Sequence, residues 1–277
     1  SNTAKLNGGA VSSSQGNWMG KSDRYENNIA VDGSGGALSM VSSYVHFDGA
    51  THCSENKAKR GGGGCLLWNP EAQNIYDNKW NTYKPKIVHE NFLRNNVALF
   101  GSSLATPGAS LRISNFTRLT TNKDNILEPY PEVELLDIYK SVVQGLLTNG
   151  VEITAELVKN GNSQTSSIAA RLFGATVAKV NNNGKALFDD LGLQSTPGSG
   201  PHNIYFRSGT NSSNSGDGMR KRSFLKTTGI LASFVQVCPE NEYLDGTQCE
   251  SCPLNSQMKD GVTSGTSSSV CLCNENY

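Results

Sequence analysis

Apolar and polar positions follow three different patterns along the chain. Up to about residue 105, small apolar clusters follow Gly-Gly pairs and return within a fixed polar frame. Beyond Pro129 a period of two takes over: Val151, Ile153, Ala155 and Leu157 alternate with Glu152, Thr154 and Glu156, which predicts a half-buried strand. Val133-Glu-Leu135 predicts a strand before it, Ile204-Tyr-Phe206 one after it, and residues 223–237 one or two more. Residues 181–184 (Asn-Asn-Asn-Gly) predict a hairpin turn between strands at 175–180 and 185–188. The last forty residues show neither period and are punctuated by cysteine.

The first regime is a repeat. Asn2-Thr-Ala4 precedes Gly8-Gly9-Ala10, and Asn28-Ile-Ala30 precedes Gly35-Gly36-Ala37. Asn56-Lys-Ala58 precedes Gly63-Gly64-Cys65, and a degenerate copy sets Asn96-Val-Ala98 before Gly101-Ser102. The asparagines lie 26, 28 and 40 residues apart. The first two spacings suit one coil of a β-solenoid, and the third needs an insertion of about twelve residues, placed around Trp68-Asn-Pro70 to Lys84-Pro85. A Gly-rich loop would produce Gly-Gly pairs but not Asn and Ala at matching offsets. Stacked coils explain all three residue types. Asn2, Asn28, Asn56 and Asn96 form a column that hydrogen-bonds along itself, paired Gly permits sharp bends, and Ala fits a narrow interior.

The Gly-Gly-Ala units, with an aromatic three residues before Asn, resemble the repeats of polymorphic outer-membrane proteins and related pectin-lyase-fold proteins. Tyr25 stands in the aromatic place, Cys53 replaces it in the third copy, and Phe92 represents it in the fourth. The resemblance implies an all-β chain opening with coils of a right-handed parallel β-helix, taken here as residues 1–127. The run Gly184-Lys-Ala-Leu-Phe188-Asp-Asp-Leu191, with Ile204-Tyr-Phe206, resembles bacterial-Ig-like and filamin-like modules. That implies an Ig-like β-sandwich over 128–237. The tail, with Cys238, Cys249, Cys252, Cys271 and Cys273, resembles ephrin-receptor-like and tumour-necrosis-factor-receptor-like cysteine-rich repeats, implying a disulfide module over 238–277. Pairing Cys238–Cys249 and Cys252–Cys271 then leaves Cys273 for a partner in further sequence. Zinc is the competing use of Cys249-x-x-Cys252 with Cys271-x-Cys273. Cys53 and Cys65 make either a bridge within one coil or two buried thiols.

Charge narrows the partners. Lys and Arg number 24 and so do Asp and Glu, which gives no general attraction to nucleic acid or anionic membrane. The longest apolar run, 229–237, is too short to span a bilayer. Crowded cysteines point to an oxidising compartment, and the sequons at Asn115 and Asn211 fit secretion with N-linked glycans as the one expected addition. The reading is of a secreted chain, its signal peptide removed. Its first residues already lie inside a repeat, so further coils or a partner are expected against that end.

Catalytic signatures are sparse. A polysaccharide lyase needs clustered Asp for calcium and an Arg or Lys base. Asp23, Asp32 and Asp48 do not recur at matching repeat offsets, nor do Arg24, Arg60 and Arg94. His46, His52, His89 and His202 show no metal-ligand spacing. Trp68, Tyr76, Trp80 and Tyr83, in the insertion, are candidate contacts with glycans or a neighbouring subunit; packing over one face of the coils is the alternative. The domain order resembles that of very large surface proteins of unicellular eukaryotes. It implies a non-catalytic structural or adhesive component of an extracellular filament, surface coat or ciliary hair (mastigoneme), partnered by other copies or subunits. The alternative is a carbohydrate-binding or polysaccharide-cleaving protein.

Overall fold

The structure is a computed structural model. It describes residues 1–47, 51–70, 84–87, 93–114, 118–121, 125–157, 170–195, 202–208, 225–226, 230–233, 242–245, 248–254, 256–258 and 271–273. The chain is all-β, with a single 3-10 turn at Gly145–Thr148 among the described residues.

Twelve strands make up the first part. They are β1 (Thr3–Ala4), β2 (Val11–Gly20), β3 (Arg24–Glu26), β4 (Ile29–Ala30), β5 (Leu38–Phe47) and β6 (His52–Ser54). The series continues with β7 (Lys57–Gly62), β8 (Leu66–Asn69), β9 (Lys86–Ile87), β10 (Leu93–Arg94), β11 (Val97–Phe100) and β12 (Leu104–Ala105). They form three parallel sheets, ordered β1-β4-β7-β11, β2-β5-β8-β12 and β3-β6-β10, so the chain visits the three in rotation and adds a strand to each on every pass. Register follows the repeat. Thr3 lies opposite Ile29, Ile29 opposite Lys57, and Lys57 opposite Val97.

The longer third spacing has a local cause. The first half of β5 pairs with β8, Val41 facing Asn69, while its far half pairs with β9, His46 facing Lys86. The chain therefore leaves the second sheet after β8 and rejoins it at β9, inside one pass. In the third sheet Leu93, not the neighbouring Phe92, takes the register position opposite Cys53. Phe92 itself lies outside the described residues.

Inside the passes, small residues alternate with large ones. Ala30 and Ala58 are buried on the first sheet, while Leu38, Met40, Val45, Phe47, Leu66 and Trp68 fill a core with Tyr25 and Cys53. The glycine pairs do two different jobs. Gly35 and Gly63 hold positive φ, of 67° and 71°, where the chain bends. Their successors Gly36 and Gly64 have ordinary φ but no room: a methyl on Gly36 would meet the Gly64 carbonyl oxygen, and one on Gly64 the Ser102 carbonyl oxygen. The missing side chain is what lets one pass lie against the next.

The second part comprises β13 (Ser110–Ile113), β14 (Arg118–Thr121), β15 (Leu127–Glu128), β16 (Glu132–Leu136), β17 (Glu152–Leu157) and β18 (Arg171–Gly174). It continues through β19 (Val177–Lys179), β20 (Lys185–Leu187), β21 (Leu191–Gln194), β22 (His202–Ser208), β23 (Leu225–Lys226) and β24 (Ile230–Ser233). Strands β13-β16-β20 and β18-β21 form antiparallel sheets, and a seven-stranded sheet runs β15-β14-β24-β22-β17-β19 with β23 beside β22. Strands β13 and β14 belong to these sheets although they precede residue 128, where the expected sandwich begins, and β15 straddles that position. Pairing of Leu111 with Leu135 decides it, an association no local period reveals.

The expected hairpin at 181–184 is corrected as well. The turn forms: Asn181 Oδ1 accepts the N–H groups of Asn183 and Lys185 at 2.9 and 3.1 Å, and Gly184 takes φ 79°. Its flanking strands then part, β19 pairing with β17 and β20 with β16. The turn carries the chain from one sheet to another over a shared core. Phe188 and Phe206, both fully buried, meet there with ring centroids 4.9 Å apart.

That core reaches back into the first part. Leu67, Phe100 and Ala105 belong to one cluster with Leu111, Val133, Leu135 and Phe188. Because side chains alternate along β8, Leu66 and Trp68 face one core while Leu67 faces the other. The two parts meet across continuous apolar packing. In the tail, β25 (Glu242–Asp245) pairs with β26 (Gln248–Ser251), and β27 (Ser256–Met258) with β28 (Cys271–Cys273).

Candidate functional site

The feature with the most consistent chemistry is the asparagine column at the corner leading into the first sheet. Asn28, Asn56 and Asn96 are 3%, 0% and 7% exposed, so their amides need internal partners. They find them in one another. The backbone N–H and the side-chain Nδ2 of Asn28 both donate to Asn56 Oδ1 at 2.9 Å. The same two donors of Asn56 reach Asn96 Oδ1 at 3.0 Å. Asn2 joins at the other end, its N–H lying 2.9 Å from Asn28 Oδ1.

Remaining amide capacity closes the corner. Asn56 Nδ2 donates to the Tyr25 carbonyl at 2.7 Å, and Asn96 Nδ2 to the Cys53 carbonyl at 2.9 Å. Asn28 and Asn56 thus stitch their own passes to both neighbours, and Asn2 and Asn96 close the two ends. Each bond contributes about 0.5–1.5 kcal/mol net, and an orphaned buried partner costs about 1–3 kcal/mol. Only an amide supplies donor and acceptor together at this length.

Beside the ladder, Cys53 and Cys65 form a disulfide across a separation of 12 residues, resolving the choice between bridge and free thiols. Both are at most 3% exposed. Asn56 Nδ2 also lies 3.3 Å from Cys53 Sγ, so bridge and ladder share a wall. Tyr25, across from Cys53, packs edge-on against Phe47 and donates its hydroxyl to Asp23 Oδ2 at 3.1 Å. Burial, reinforced by the Asp23 charge, raises the Tyr25 phenol to about 12.

Trp68, one of the aromatic contact candidates, is corrected. It is 1% exposed and donates its indole N–H to the Ser43 carbonyl at 2.9 Å, so it is a core residue. Two positions after Leu66 on one strand, it has the same inward direction. Tyr76, Trp80 and Tyr83 lie outside the described residues, as do both sequons, Asn115 and Asn211. In the tail, Cys252 and Cys271 are bridged. Cys249 sits in β26 and Cys273 in β28, while Cys238 and its expected pairing with Cys249 fall outside the described residues.

The residues weighed for catalysis are spread over separate elements. The Asp23 carboxylate accepts the Tyr25 hydroxyl, and Asp32 pairs with Arg60 at 3.5 Å. Arg24 and Arg94 lie in β3 and β10, and His46, His52 and His202 in β5, β6 and β22; Asp48 and His89 are not described. Among the described residues no three His, Cys, Asp or Glu are grouped to hold a metal, and no helix is long and apolar enough to cross a membrane.

Sequence reading missed a second polar device. Asp137 is fully buried, accepting the Ser141 N–H at 2.8 Å and the Thr106 N–H at 3.4 Å. Thr106 Oγ1 in turn accepts the Ile138 N–H at 3.1 Å. Burial raises the Asp137 carboxyl above its usual range. The cluster fastens the segment after β12 to the segment after β16, while Ile138 enters the repeat core. Only the short polar side chains of Thr106 and Asp137 hint at it in sequence.

No protein-family model matches this chain, and no significant match was found among curated proteins or solved structures.

Proposed function

We propose that the chain is a non-catalytic structural component of an extracellular assembly such as a filament, surface coat or ciliary hair. On this reading the three parallel sheets are coils of a right-handed parallel β-helix, the antiparallel sheets an Ig-like sandwich, and the tail a cysteine-rich module. The observation that carries it is the ladder from Asn2 to Asn96, which links each pass to the next through amide hydrogen bonds, buried from Asn28 onward. Chains of such bonds resist bending and sliding together. The shared core through Leu67, Phe100 and Ala105 extends that stiffness into the antiparallel part. Disulfides at Cys53–Cys65 and Cys252–Cys271 favour an oxidising, extracellular setting. Partners are other copies or neighbouring subunits, with N-linked glycans as decoration.

Immuno-labelled electron microscopy of the native material tests this reading. Labelling along filaments or a coat is the expected result. Dispersed globular particles that release fragments from a polysaccharide would overturn it in favour of an enzyme.

A further inference from the structure

The outer face of the first sheet combines cationic and aliphatic side chains in one plane. Since Ala58 points inward, Lys57 and Lys59 on β7 point outward together, and both are exposed. They stand about 7 Å apart along the strand. Val97 and Leu99 on the adjoining β11 are 53% and 47% exposed and continue the same face, Lys57 lying opposite Val97. The 3-10 turn rises beside them: a methyl on Gly145 would lie 3.1 Å from Leu99 Cδ1, and the next residue, Leu146, is 56% exposed. On the far side Lys5, also exposed, follows β1.

Charge on this face is unbalanced. Asp32 pairs with Arg60, but among the described residues no carboxylate pairs with Lys5, Lys57 or Lys59. In a chain with equal numbers of acidic and basic residues, that is local segregation. An ordinary solvated sheet face would set polar groups, not Val97, Leu99 and Leu146, beside its lysines. No aromatic side chain lies among these residues to stack on a sugar ring.

We infer that this face docks an acidic protein segment of a neighbouring subunit, its carboxylates on Lys57 and Lys59 and its aliphatic side chains on Val97, Leu99 and Leu146. The juxtaposition matches anchor-and-rim recognition, with apolar contact adding to charge pairing. The inference deepens the assembly reading by naming the partner's chemistry, and its test is independent of filament incorporation.

The test uses the full chain and three probes: a soluble peptide alternating Glu and Val, a peptide alternating Ser and Val, and heparin. Fluorescence anisotropy should show binding of the Glu-Val peptide that weakens with salt, and weaker binding of the Ser-Val peptide. Binding should fall at least tenfold in K57E/K59E, and at least several-fold in V97S/L99S, with circular dichroism unchanged. Failure of the Glu-Val peptide to bind would overturn the inference. So would tight heparin binding insensitive to V97S/L99S, since that assigns the face to a polyanionic glycan. Neither result bears on whether the chain is found in filaments.

Discussion

Asn56 illustrates how much a single buried amide holds. Its donors and acceptor serve the passes before and after it, and the residue is fully buried. Asn56→Ala should lower stability by about 2–4 kcal/mol, because the partner N–H of Asn28 loses its acceptor in a closed corner. Asn56→Asp should also destabilise, since the two Nδ2 donations vanish and a charge is buried. Denaturant unfolding of both variants measures the effect, and a change below about 0.5 kcal/mol for Asn56→Ala would refute the ladder's energetic role. Trp68 belongs to the same scale. Its inward direction follows from its position two residues past Leu66, whereas the sequence reading weighed its aromatic character instead.

At the scale of elements, fixed offsets were the legible part. Columns of Asn, Ala and Gly repeat because each pass meets its neighbour at equivalent positions, so stacking writes itself into the chain at intervals. Pairing of β13 with β16, and the parting of β19 from β20, were not legible. A strand's partner is chosen by a nonlocal core, and the turn residues Asn181 and Gly184 serve a crossing between sheets as well as a hairpin. The lysine face was half legible, because Lys57 and Lys59 flank an Ala that matches Ala30 in register. Disulfide Cys53–Cys65 acts on this scale too. Closing a loop of 12 residues contributes about 3 kcal/mol in the chain-entropy view. Cys53→Ala/Cys65→Ala should lower the unfolding free energy by about 2–4 kcal/mol, read by calorimetry. An unchanged unfolding transition would mean the ladder alone sets the stability of that pass.

For the whole molecule, stability depends on pH through groups buried on folding. Burial lowers His202, in β22, from its ordinary 6.5, so the folded state favours neutral imidazole. The unfolded chain then takes up a proton first as pH falls, and this contribution, full above about 6.5, is lost through the lower folded value. Asp137 has the opposite sign: its raised folded value gives stability that declines as pH rises through the carboxylate range. The His202 contribution should therefore lower the melting temperature as pH falls from 7 to 5, and His202→Gln should remove that part of the slope. An identical slope in the variant would place the titration elsewhere.

Ser102 carries a consequence for how this stack tolerates change. Each second glycine lacks a side chain because the carbonyl of the following pass lies over it, as Gly64 O does over Gly36 and Ser102 O over Gly64. Ser102 is exposed and keeps its side chain. The demand for glycine is thus imposed from downstream: what residue 36 must be depends on a pass that begins some 20 residues later. Mutational freedom in such a stack is inherited backwards along the chain, and it returns at the pass that has no successor.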